Sequence, residues 1–143
     1  MTTAAIPFTA PMSSSRALRV GLWVTQGLLA AMFLMSGLMK LTTPVAELAA
    51  AMPWVSGSLG GLVRLIGAAE LAGAIGLILP AATRIQPRLT VLAALGLMLI
   101  MAGAAVTHVA RGELGVVAMP VILGGLAAFV AWGRSKKAPI APR

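Results

Sequence analysis

Glu70, His108, Lys40 and Arg64 are the side chains whose type and position can do chemistry in this chain. Glu70 sits within a long apolar run, and its neighbours at helical spacing are Gly67, Leu71 and Ala74. An acid at bilayer depth costs at least about 2–3 kcal/mol even on insertion scales, so it turns toward the protein interior. There it can exchange protons, anchor the polar head of a ligand, or, protonated, bond a neighbouring helix as structural glue. His108 is the single histidine of a chain without cysteine. One imidazole cannot complete a metal site, so haem or zinc would need a second subunit. A proton relay, or a plain bond to water, a headgroup or Thr107, are the readings left. Lys40 and Arg64 stand at the ends of apolar runs, where long basic side chains usually snorkel to the headgroups. Six residues separate Arg64 from Glu70, about 9 Å along a helix, so a direct pair needs tilt, reach or a water. The sequence holds no phosphate-binding loop, no Ser/His/Asp set and no paired carboxylates, and Met98 and Met101 read as flexible packing rather than copper ligands.

The elements that position these residues follow from where charge is absent. Of 143 residues, 59% are hydrophobic and 10% charged, against about 25% charged in soluble domains. A helical span of a bilayer needs about 20 apolar residues. Residues 20–39, 62–79, 89–110 and 114–133 each meet that length, with charged or polar residues at every junction. The runs are continuous and rich in Leu, Ala and Met rather than alternating, which predicts helices and not barrel strands. The fold class expected is all-α: an integral membrane four-helix bundle, with a short helix or ordered loop on the outer side between the first two spans. In that loop Thr43 is placed to cap a helix with Pro44 at its first position and Glu47 in its first turn. Trp54 then suits the headgroup interface. Span two is expected to end at a tight turn beginning Leu79-Pro80, and Pro87 to start span three. Glycines 67, 73, 76, 96 and 103 predict that spans two and three pack through small-residue faces, with Gly67 and Gly103 in the contact.

Four spans put both termini on one side. That side carries Arg16, Arg19, Arg84, Arg88, Arg134, Lys136, Lys137 and Arg143, and the other carries Lys40, Arg64 and Arg111. The excess predicts cytoplasmic termini in an inner membrane and places the net charge of +8 against anionic lipid rather than nucleic acid. Residues 1–17 are expected to be disordered, without the look of a cleaved signal peptide, and residues 134–143 to be a basic cytoplasmic tail. Lys40, Arg64, Glu70 and His108 all fall in the outward half, where only Thr25 and Gln26 stand out as polar in the other half. This asymmetry predicts a polar pocket opening outward.

Two segments carry a resemblance: Met35-Ser-Gly-Leu-Met-Lys40-Leu41 and Arg64-Leu-Ile-Gly-Ala-Ala-Glu70-Leu71. With Gly76-Leu-Ile-Leu-Pro80, and a span closing in His108 before Arg111-Gly-Glu113, the chain resembles the DoxX and DoxX-like membrane proteins over residues 18–133. The resemblance implies a four-helix bacterial membrane protein. It further implies a link to thiosulfate:quinone oxidoreductase complexes or oxidative-stress assemblies, with a redox-protein partner or a homo-oligomer, and Lys40, Arg64, Glu70 and His108 as ligand-binding or proton-relay positions. No motif encodes a cofactor site; a quinone is the cofactor the resemblance brings. Three functions stay open: an accessory subunit holding a quinone- or lipid-like ligand, a dimeric proton-coupled carrier, and a structural membrane partner. If a protonated Glu70 is the working group, Glu70→Gln keeps the fold and loses function.

Overall fold

The computed structural model describes residues 14–55 and 59–143. The first helix, α1 (Arg16–Thr42), opens where the Ser15 hydroxyl accepts the Leu18 N–H at 3.2 Å. Its 27 residues rise about 40 Å, more than a bilayer core. It stops because Thr43 precedes a proline, which pushes the residue before it to extended backbone; Thr43 has ψ 136°. A seven-residue helix, α2 (Val45–Ala51), follows. Its cap is Pro44, whose carbonyl accepts from Glu47 and Leu48 at 3.1 and 3.0 Å, and not the Thr43 side chain expected there. α3 (Gly60–Thr83) runs through Pro80 instead of ending at it. A proline deprives one carbonyl of its donor and leaves the rest of the ladder intact. The helix ends three residues later, where Arg84 takes the left-handed φ of 60°.

Pro87 precedes α4 (Arg88–Ala110). The return at Arg111–Glu113 needs Gly112, whose φ is 74°. A single 3-10 turn (Leu114–Val116), α5 (Ala118–Trp132) and a wider π turn (Gly133–Lys137) together make the last span. Four segments are thus long and apolar enough to cross a membrane: α1, α3, α4 and Leu114–Lys137. No strand occurs among the described residues. The expected disorder of residues 1–17 falls mainly on residues 1–13, outside the described residues, while Arg16 and Ala17 already belong to α1.

Short turns make consecutive spans antiparallel neighbours. α1 packs on α3, α3 on α4 and α4 on α5, with α1 and α5 closing the ring less intimately. Leu29, Phe33, Leu77, Leu97, Ala127 and Val130 fill the middle, while Leu28, Met35, Leu65, Leu92, Leu99 and Val121 face outward to lipid. The glycines act differently from the expectation. Gly67 faces α1, where a Cβ would stand 2.8 Å from the Lys40 Cβ, and it is Gly73 and Gly76 that admit Leu97 and Ala93 of α4. A Cβ on Gly103 would meet nothing within 4 Å, because that glycine borders a cavity.

The half of the bundle nearer the termini is also more polar than expected. Thr90 and Arg134 are buried there beside Gln26. Gln26 donates to the Leu77 carbonyl at 2.6 Å, next to the break that Pro80 makes in the α3 ladder. The Arg134 Nε donates to the Gln26 Oε1 at 2.6 Å, and its guanidinium lies 4.9 Å from the Trp23 ring centre. Arg134 is therefore a core residue and not part of a free tail; at the chain end, the Arg143 N–H donates to the Arg84 carbonyl at 3.1 Å.

Candidate functional site

The end of the bundle remote from the termini holds a cavity of about 880 Å³. All four spans wall it: Phe33 from α1, Ile66 from α3, Met101 from α4 and Leu123 from α5. Trp54 and Met52 cover it from the α2 side. Trp54 is half-buried against the small cluster of Leu48, Val55 and Val63.

One wall is polar, and its geometry comes from a reciprocal register of α1 and α3. A Cβ on Gly37 would lie 2.7 Å from the Gly67 carbonyl and 3.4 Å from the Glu70 Cβ, just as Gly67 lies against Lys40. Each charged residue therefore stands opposite a glycine of the other helix. Helices that approach this closely bring the side chains one turn away into contact. The Lys40 Nζ meets both Glu70 oxygens, at 2.7 and 3.0 Å, and donates to the Ser36 hydroxyl at 2.5 Å. That hydroxyl donates to the Glu70 Oε2 at 2.9 Å. Glu70 is 2% exposed and Lys40 8%, so the pair is buried in the wall of the cavity. Lys40 does not turn to the surface but onto Glu70, whose carboxyl oxygens face two donors, Lys40 and Ser36.

His108 lines the same cavity from α4. Its Nδ1 is 2.7 Å from the Glu113 Oε2, and the Arg111 Nε donates to the Glu113 Oε1 at 2.7 Å. The hydrogen bond from His108 first, and that from Arg111 second, hold the Glu113 carboxyl below the ordinary carboxylate value. Because Glu113 accepts from the ring, it fixes which imidazole nitrogen is left for the cavity.

Arg64 does not join them. Its guanidinium donates to the Lys40 carbonyl, and to the Thr43 carbonyl at 2.7 Å, so it satisfies the open carbonyls at the C-terminus of α1. It positions Lys40 from the backbone side and does not line the cavity. The structure thus joins Lys40 to Glu70 directly, sets His108 on the same cavity and leaves Arg64 outside it. It adds Ser36, whose i, i+4 spacing to Lys40 was the available signal, and Glu113, legible only as a turn residue.

A family model described as the DoxX-like family matches residues 24–130. That range includes Ser36, Lys40, Arg64, Glu70, His108 and Glu113, and stops short of Arg134. No curated protein and no solved structure matches the chain. With three-quarters of its length under that match, and with four helices long and apolar enough to span a membrane, the chain belongs to the DoxX-like family.

Proposed function

We propose that the chain is an accessory, ligand-binding subunit of a redox system in the bacterial inner membrane, holding a quinone- or lipid-like molecule in the cavity. The observation that carries this reading is a cavity of about 880 Å³ between the four spans, with apolar walls and one buried polar cluster. Small-molecule sites have that size and that economy of polar groups. With no cysteine in the chain, electrons would pass through the ligand and a partner subunit. The end near the termini is filled by Leu77, Ala127 and Val130 and tied by Gln26 to Arg134, so the cavity belongs to one end of the bundle, as a binding pocket does. A carrier would in addition have to unpack that end in an alternate state.

Gly103→Leu tests it. The glycine borders the cavity and a Cβ there would meet nothing within 4 Å, so the added side chain starts in open space rather than against the core. The expected result is an unchanged melting temperature in detergent and a loss of about tenfold or more in affinity for a decyl-substituted benzoquinone, read by native mass spectrometry. Parent-like binding in that variant would remove the cavity as the site.

The orientation is part of the proposal. Eight basic residues lie on the side of the termini and three, Lys40, Arg64 and Arg111, on the cavity side, the bias that supports cytoplasmic termini. A reporter fused after Arg143 is expected to be active only in its cytoplasmic form. A cysteine introduced at Ser58, which lies outside the described residues, should be labelled from outside intact cells and one at Thr83 should not; the opposite pattern inverts the bundle.

A further inference from the structure

The polar groups of the cavity have spent their hydrogens on one another. The three N–H bonds of Lys40 face three acceptors, the Ser36 hydroxyl and both Glu70 oxygens, all within 3.0 Å. Ser36 gives its own hydrogen to the Glu70 Oε2. The Thr107 hydroxyl, also on the cavity wall, donates to the Gly103 carbonyl at 2.9 Å. His108 faces the acceptor-only carboxylate of Glu113 with its Nδ1, so in its neutral form the ring donates there and keeps its Nε2 as an acceptor. What remains for a ligand is acceptor capacity. A carboxylate has about four lone-pair sites; Lys40 and Ser36 occupy two on Oε2 and one on Oε1. Trp54 is the exception, a donor-only indole, but it belongs to the α2 cover and not to the buried cluster.

We propose that the cavity selects apolar ligands whose polar group is a hydrogen-bond donor, an alcohol or hydroquinone, over their carbonyl or carboxylate counterparts. The proposal rests on the cavity being a ligand site and names the chemistry of what it takes. A hydroxyl against Glu70 completes an unfilled acceptor. A quinone carbonyl or a carboxylate puts lone pair against lone pair, and a carboxylate adds an unpaired charge beside a wall whose own charges already cancel. An unmatched buried polar group of this kind weakens binding by about tenfold or more.

The test is a competition on the full-length protein in detergent, in mildly alkaline buffer, read by native mass spectrometry. Decanol competes with decanoate, and, without oxygen, a decyl-substituted hydroquinone competes with its quinone. The expected result is a preference of about tenfold or more for decanol and for the hydroquinone. Equal or tighter binding of decanoate or the quinone overturns the donor preference while leaving the cavity as a binding site. If none of the four binds, the ligand-site reading falls and takes this proposal with it. The double variant Lys40→Met with Glu70→Gln removes both charges together, which keeps the fold testable, and presents an amide that also donates. It should lose the preference; a variant that binds probes with the preference intact overturns the assignment to Glu70.

Discussion

Glu70→Ala, and separately Lys40→Met, should each destabilise the protein by about 3–5 kcal/mol, read by unfolding in detergent. The cost arises because each change leaves the other charge buried without a counter-ion. Among the described residues Lys40 pairs with Glu70 alone, while the chain's remaining glutamates, Glu47 and Glu113, lie on α2 and at the α4–α5 turn. Ser36 alone cannot neutralise it. The pair Lys40→Met with Glu70→Leu should restore most of the lost stability, because a buried ion pair is often no more stabilising than apolar groups of similar volume. Glu70→Gln alone should fall between, keeping the shape but leaving the ammonium uncompensated. The sequence alone predicts that Glu70→Gln keeps the fold and loses function; the Lys40 contact adds a cost in stability. If the single and double variants melt alike, the pair is not energetically coupled and the contact is incidental.

The second large effect is expected at Gly37. A Cβ there would stand 2.7 Å from the Gly67 carbonyl oxygen and 3.0 Å from the Leu71 nitrogen. Both are backbone atoms, so no rotamer change can relieve the overlap and the helices must separate. Gly37→Ala should cost about 1–3 kcal/mol, the usual cost of overpacking. Gly37→Leu should prevent α1 from docking on α3 altogether. Gly27→Ala is the internal control, because a Cβ at that glycine meets nothing within 4 Å. Separation of the helices should also pull Lys40 from Glu70, so loss of probe binding should accompany the loss of stability. A Gly37→Leu protein that melts like its parent would show that α1 and α3 do not meet through these glycines.

The spans were legible because charge is excluded from hydrocarbon, and the gaps between charged residues therefore mark the helices without any knowledge of packing. The inward orientation of Glu70 was legible for the same energetic reason. Its partner was not. Lys40 and Arg64 look equivalent in sequence, each a basic residue at a span end, and only the Gly37–Gly67 register decides that Lys40 reaches the carboxylate while Arg64 turns to the carbonyls of α1. Ser36 was hidden inside a motif that drew attention to its lysine. Arg134 was hidden by its neighbours: it shares a short run with Lys136 and Lys137, and average charge cannot tell which of the three folds back over Trp23 onto Gln26.

The reciprocal pair also sets a timetable for biogenesis. Lys40 is synthesised thirty residues before Glu70, so α1 emerges from the ribosome with its ammonium unpartnered. Near the end of its helix that group can wait at the membrane surface by snorkelling. Glu70 has no such refuge in the middle of α3, where a charged group entering lipid alone costs about 2.5–3.5 kcal/mol. The economical course is for α1 to linger beside the translocation channel until α3 arrives, so that the two helices leave for the lipid as one preassembled hairpin with its charges already cancelled.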